Sequence, residues 1–271
     1  MSKIIAVANQ KGGVGKTTTS INLGIGLKRK GKRVCLIDLD PQGNASQGLG
    51  YNPDQLEDTI SSIMDKMIEK DYSITSDYAV LHHEEGIDII PANIELSVME
   101  MKLLSVYIGR EKILQTYIEM IRDHYDYILI DCKPSLDIIT LNALTAANSV
   151  LIPVQAQFYS AKGLEQLLGT INQVIESGLN RDLKIEGVLF TAVNKQTCNY
   201  QQISQLIREH YGKYVNVYHN YIPRSVKIEE APAFGKSIYE YTGINSKMAK
   251  VYLDFTDEFL EKEGGVKNEQ R

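Results

Sequence analysis

Residues Lys11 to Thr18 read KGGVGKTT and lie between a short apolar run, Ile4 to Asn9, and a helical pattern over Thr17 to Arg29. A strand, a glycine-rich turn and a helix in that order are what a phosphate-binding loop requires. Gly12, Gly13 and Gly15 lack Cβ atoms, so the backbone through Val14 can turn with positive φ and bring successive N–H groups up to phosphate oxygens. The helix opening near Lys16 aims its positive end at the same point. Lys16 is then placed to reach the β- and γ-phosphates of ATP, the Thr17 hydroxyl to bind Mg²⁺, and Thr18 to close the first helical turn over the ligand. The alternative is a chance glycine-rich turn ahead of a helix.

The same alternation continues along the 271 residues. Strand candidates, most of them short and nearly continuous apolar runs, occur at Arg33 to Asp38, Ile87 to Ile90, Tyr127 to Asp131, Ser149 to Pro153, Lys184 to Thr191 and Tyr218 to Ile222. Amphipathic stretches separate them at Ile94 to Leu104, Gly109 to His124, Ile138 to Ala146, Lys162 to Ser177, Tyr200 to Tyr211 and Asn245 to Lys262. Strands buried on both sides and alternating with helices predict an α/β fold: a doubly wound, mostly parallel sheet with helices on both faces. No repeat or Gly/Ser/Pro-rich linker divides the chain, so residues 1–262 are expected to form one ATPase domain. Residues 51–86, acidic and weakly periodic, are expected to be a surface excursion, and 263–271 a flexible tail.

Composition removes several classes. With 43% hydrophobic and 23% charged residues the chain is globular. Three cysteines, Cys35, Cys132 and Cys198, form neither a disulfide framework nor a CxxC pair, which fits a reducing, cytoplasmic setting. No apolar run approaches the roughly 20 residues that span a bilayer, and the first residues do not resemble a signal peptide. The net charge of −5 is uneven: residues 51–100 alone carry twelve acidic and two basic side chains, leaving the remainder net positive. A local basic face for nucleic acid is therefore compatible with an acidic whole.

Two further segments fit a nucleotide site at the carboxyl ends of strands. In DLDPQGN, Asp38 to Asn44, Asp40 lies past the strand and can hold a water near the γ-phosphate and Mg²⁺, whereas Asp38 supports the metal or the loop, or is purely structural. In YDYILIDCKPS, Tyr125 to Ser135, the apolar strand ends in Asp131, placed to bind Mg²⁺ through its water shell. Cys132 reads as a small packing residue. In TAVNK, Asn194 offers the donor and acceptor pair that an adenine edge uses, or caps its own loop.

The loop lacks the glycine that the general pattern places six residues before Lys16; Gln10 stands there, followed by a second lysine, Lys11. This is the deviant Walker A form, and the sequence resembles the ParA/MinD family of P-loop ATPases from Ile4 to about Leu260. The resemblance implies that Lys11 crosses a homodimer interface to the partner's nucleotide, that Asp40 activates the attacking water, and that Asp131 is the Walker B residue. Lys133 replaces the first proline of the family's DCPPS, which puts the stiffness of that loop in question. The segment IPRSVKIEEAPAFGKSI, Ile222 to Ile238, resembles the ParA/Soj branch, where the loop after Pro223 closes over the base and nearby basic residues contact DNA.

Between Arg208 and Lys250 there are seven basic and four acidic residues. Arg208, Arg224, Lys227, Lys236, Lys247 and Lys250 are the candidates for sequence-independent contacts to DNA phosphates. The resemblance implies a nucleoid-associated partitioning ATPase, dimeric with ATP and with slow intrinsic turnover stimulated by a ParB-like centromere-binding partner. A MinD-like membrane cycle calls for a basic amphipathic C-terminal helix, which the acidic last segment does not supply. A regulator with the same ATP switch and another cargo, such as one tied to conjugation, stays open. Because the loop begins at Lys11, no N-terminal operator-binding helix-turn-helix is expected.

Overall fold

A computed structural model describes residues 2–157 and 160–266. Its centre is a seven-stranded sheet formed by β1 (Lys3–Val7), β2 (Val34–Leu39), β3 (Leu81–His82), β4 (Asp88–Ile90), β5 (Tyr127–Cys132), β6 (Ser149–Gln155) and β7 (Lys184–Thr191). The spatial order is β3-β4-β2-β5-β1-β6-β7, and only β3 runs antiparallel to its neighbour. The chain first builds outward from β1 on one side and then resumes on the other with β6, so β1 is flanked by β5 and β6 at the point where the winding reverses. Ligands of open α/β sheets sit in the crevice at that point. The register places Val7 beside Asp131 and Asp131 beside Asp38, which sets both carboxylates level with the exit of β1.

Alternate strand residues feed two cores. Ile5, Val7, Leu36, Leu129 and Leu151 face one layer, made of α1 (Lys16–Arg29), α2 (Asn44–Gly48), α10 (Ile238–Thr242) and α11 (Lys247–Val266). Ile4, Ala6, Ile37, Ile130 and Ile152 face the other, which includes α3 (Ile60–Ile68), α4 (Leu96–Ser105), α5 (Ile113–Ile121), α6 (Ile138–Ala146), α7 (Ser160–Glu176) and α8 (Cys198–Tyr211). The short α9 (Val226–Glu230) follows. The doubly wound sheet with helices on both faces is the architecture expected from the alternation.

Three expectations need correction. The acidic stretch 51–86 is not a mere excursion: α3 lies within it and buries Ile60, Ile63, Met64 and Met67 in the core, with a capping box between Thr59 and Ser62 at its start. Those four side chains have the i, i+3, i+4, i+7 spacing of one helical face, but the surrounding carboxylates dominate the composition. The run Tyr218 to Ile222 is not a strand of the sheet. It lies along β7 through separated backbone contacts, Tyr218 N–H to Val188 O and Ile222 N–H to Phe190 O, without a continuous ladder. The tail expected from Glu263 starts too early, since α11 runs to Val266 and Glu263 pairs with Lys3 and accepts from the Tyr127 hydroxyl; residues 267–271 lie outside the described residues. Among the described residues no helix is long and apolar enough to cross a membrane.

Candidate functional site

The loop after β1 turns through Gly13 at φ 72° and Gly15 at φ 82°, the left-handed region that side chains with a Cβ rarely adopt. A Cβ at Gly12 or Gly13 would meet nothing within 4 Å, so the demand at Gly13 is conformational and the space above the loop is open. Gly15 is the N-cap of α1 and no side chain caps the helix there. Its first N–H groups therefore point into the opening without an internal acceptor, which is the condition for anion binding at a helix start. The loop is braced from below, where the Thr191 hydroxyl donates to the Val14 carbonyl at 2.7 Å and Gln155 Nε2 donates to the Gly13 carbonyl.

Around this loop lie two cavities. The larger, about 480 Å³, is lined by Gly12, Gly13, Gly15, Lys16, Thr17, Thr18, Asp40, Asn44, Gln47, Gly48, Pro134, Pro232 and Ala233. The smaller, about 220 Å³, lies against Gly13, Val14, Gly15 and Thr18 and is closed by Gln155, Thr191, Ile222, Pro223, Arg224, Ile228 and Tyr252 among others. The loop thus separates a polar chamber beside the carboxylates from a more apolar chamber beside Pro223. That pairing has the chemistry of a triphosphate on one side and a base or sugar on the other.

Lys16 is buried, and its Nζ donates to the Lys11 carbonyl at 3.2 Å. Burial lowers its affinity for a proton, opposed by the carboxylate of Asp131 and, more weakly, Asp40. Asp131 is fully buried and accepts hydrogen bonds on both oxygens, from Thr17 Oγ1 at 2.7 Å and Ser20 Oγ at 2.9 Å. Burial, with Asp38 alongside, pushes its carboxyl up to about 7 despite those donors. Asp38 is likewise raised to about 6 by burial, although Ser46 donates to it through both its amide and its hydroxyl. Thr17 Oγ1 and the Asp131 carboxylate, 2.7 Å apart, are hard oxygen donors of the kind a divalent cation such as Mg²⁺ takes. Among the described residues no group of three or more His, Cys, Asp or Glu could hold a metal by itself, so a cation here needs further oxygens from a ligand or water.

Asp40 lines the larger cavity and uses Oδ1 to accept the Gln42 amide at 3.0 Å. Asp38, by contrast, is turned inward: it accepts the Asp40 and Ser46 amides and shapes the loop, the structural alternative of its two readings. Lys11 is half-buried, its amide bonded to Asn9 Oδ1 and its Nζ to Gln157. Pro223 lines the smaller cavity, but Asn194 does not; it is exposed, and its Oδ1 accepts the Gln196 amide at 3.1 Å, so it caps its own loop here. Ser20, Ser46, Gln155, Gln157 and Thr191 were not singled out from sequence. Only Ser20 had a signal, one helical turn after Lys16 on the face of α1 that meets Asp131.

The basic candidates separate sharply. Arg208 is half-buried and held by the fold, donating to the Val217 and Tyr218 carbonyls at 3.3 and 2.9 Å with its guanidinium over the Phe190 ring. Arg224 and Lys236 are exposed yet paired with Glu229 at 3.7 Å and Glu240 at 2.5 Å. Lys227, Lys247 and Lys250 are exposed at the starts of α9 and α11.

A glycine-turned loop at the switch point, an uncapped helix start and a Thr–Asp pair at the end of the adjacent strand define a P-loop nucleotide-binding α/β protein. The profile described as an AAA domain matches residues 2–185. The sporulation initiation inhibitor protein Soj of Bacillus subtilis is 45% identical over 258 residues, covering 95% of this chain and 98% of that one. The chromosome partitioning protein ParA of Caulobacter vibrioides is 41% identical over 263 residues, covering 96% and 95%. A crystal structure of cobyrinic acid a,c-diamide synthase from Mycobacterium smegmatis with bound ADP and magnesium superposes with a TM-score of 0.79 at 35% identity, covering 95% of this chain and 93% of that one. The chain belongs to the ParA/MinD family of P-loop ATPases, among its Soj and ParA partitioning members.

Proposed function

We propose that the protein is an ATP-dependent DNA-partitioning ATPase whose Mg·ATP-bound homodimer holds DNA without regard to sequence and is released by hydrolysis. The observation that carries the nucleotide half is the uncapped start of α1 facing a cavity shared with Lys16, Thr17 and Asp40. Backbone amides of residues 12–18 cradle the phosphates, Lys16 neutralises the β- and γ-phosphates, and Thr17 binds Mg²⁺ while Asp131 holds the metal's water shell. Bound magnesium supplies charge neutralisation for phosphoryl transfer. Asp40 orients the attacking water, and Lys11 leaves Gln157 to reach the nucleotide of the other subunit. Pro223 covers the base. Asn194 contacts the adenine only after giving up its loop cap. The ADP and magnesium held by the mycobacterial synthase support this cofactor set.

Lys227, Lys247 and Lys250, with Arg224 and Lys236 once their carboxylates exchange for phosphates, form the DNA face. Pairing two chains doubles the phosphate contacts, so the nucleotide state sets DNA affinity. Turnover is slow alone and rises with DNA and a ParB-like protein, and the protein works in the cytoplasm on the nucleoid. A MinD-like membrane cycle is disfavoured because α11 already buries Ala249, Tyr252, Phe255 and Phe259 against the core. The deciding experiment is retention on DNA with ATP, ADP or no nucleotide, at two salt concentrations. Retention that requires ATP and falls steeply with salt supports the reading; retention indifferent to nucleotide overturns it.

A further inference from the structure

The loop leaving β5 contains a three-way ionic junction that the nucleotide site does not need for binding. Lys133 Nζ lies 2.7 Å from Glu100 Oε2 and 2.6 Å from Asp137 Oδ2, and its side chain is only 11% exposed. Glu100 stands on α4. Asp137 is the N-cap of α6, where its Oδ1 accepts the Ile139 amide at 3.0 Å and its Oδ2 accepts the Ser135 hydroxyl at 2.5 Å. One lysine therefore ties the end of a central strand to the middle of α4 and the start of α6.

The residues on either side give the junction its consequence. Asp131, two positions earlier, holds Thr17 and Ser20 of the phosphate-binding helix. Pro134, the next residue, lines the phosphate-side cavity. A flexible side chain such as lysine loses conformational freedom when held in one place. Two partly exposed carboxylates around one largely buried ammonium oppose that loss, and salt screens such pairs less than fully exposed ones.

We propose that Lys133 is a positioning residue for ATP hydrolysis: by bridging Glu100 and Asp137 it keeps the Pro134 loop at a fixed distance from the terminal phosphate. The role rests on the ATPase reading above. Lys133 touches no reacting atom. It acts by limiting the excursions of a loop whose displacement by about 1 Å is enough to change a rate severalfold or more. Nucleotide binding, carried by the backbone of residues 12–18 and by Lys16, does not depend on it.

The test compares full-length wild type with Lys133→Met, Lys133→Arg, Glu100→Gln and the double variant Lys133→Met/Glu100→Gln. Steady-state hydrolysis is measured with DNA present, and affinity with a fluorescent ATP analogue. Lys133→Met and Glu100→Gln are each expected to lower kcat about tenfold with analogue affinity within twofold of wild type. The double variant should be no slower than either single one, as for partners in one interaction, and Lys133→Arg should keep at least half of wild-type kcat. A kcat for Lys133→Met within twofold of wild type overturns the role. So does a parallel fall in kcat and affinity that arginine does not restore, because that marks general destabilisation. Wild type that binds the analogue yet never hydrolyses ATP overturns the ATPase reading and this role together, whereas wild-type turnover that Lys133→Met leaves intact overturns this role alone.

Discussion

The phosphate cradle and the basic face are built in opposite ways. The cradle is contiguous: Gly12 to Thr18 supply its amides, ammonium group and hydroxyl, and the register of three buried strands delivers Asp131 and Asp38 beside them. The basic residues proposed for DNA are scattered over α9, α11 and the loops ahead of α9 and α10, with cations that each settle separately whether to face a carboxylate or water. A site whose parts share one backbone segment tolerates little variation in any one of them. A site made of independent exposed charges loses affinity by increments.

The sharpest break between the two is expected at Lys16. Replacing it with alanine removes the buried ammonium proposed to neutralise the phosphates, and kcat for ATP hydrolysis should fall by about 10²–10³-fold, the range for loss of one preorganised stabilising group. Asp40→Ala should come close to that loss while leaving fluorescent-analogue binding nearly intact, since Asp40 is given water rather than phosphate to hold. If either variant retains more than a tenth of wild-type turnover, the cradle is not a catalytic unit and the contrast disappears.

On the basic face, Lys227→Ala/Lys247→Ala/Lys250→Ala removes three exposed charges per chain. Each phosphate contact contributes about 0.9 to the slope of log affinity against log salt on duplex DNA. The triple variant should therefore bind DNA at least about tenfold more weakly, with a flatter salt dependence and unchanged basal hydrolysis, as measured by titration at two ionic strengths. Arg208→Met serves as the counterpart. Its guanidinium donates to two backbone carbonyls, so it should cost roughly 1–3 kcal/mol of stability in a denaturant melt and leave the salt slope where it was. An altered slope would return Arg208 to the DNA face.

The same contrast separates what the amino-acid sequence reveals from what only the fold does. The cradle was legible because its residues are neighbours in sequence and because buried parallel strands are nearly pure apolar runs. Lys227 and Arg208 look alike as letters, and only the fold shows that one faces solvent and the other the Val217 and Tyr218 carbonyls. The helix at Ile60 to Ile68 was hidden for a different reason. Its four core residues repeat correctly, but the acidic residues of that stretch are on its surface and outweigh them in any average over composition. Tyr218 to Ile222 erred the other way: Tyr218 and Ile222 are buried beside the sheet, yet the segment joins it only through separated backbone contacts. Asn194 shows the limit for single residues, since an amide that can meet a base can equally cap a loop.

The smallest effect is the most specific to the cradle. In the absence of ligand, Asp131 and Asp38 sit in the folded chain with carboxyls raised by burial to about 7 and about 6, above the ordinary range near 3.9 of an unfolded aspartate. The folded state then binds more protons than the unfolded one between those limits, so stability falls as pH rises through them. Lowering pH from 7.5 to 6.5 should stabilise the ligand-free protein by about 1 kcal/mol or less, a rise of roughly 2–4 °C in melting temperature for a chain of this size. Asp131→Asn should melt higher than wild type at pH 7.5 and lose most of that slope. Mg²⁺ with a non-hydrolysable ATP analogue should flatten it as well, because a cation beside Asp131 favours the ionised form. A slope unchanged in Asp131→Asn would mean that the proton is held elsewhere.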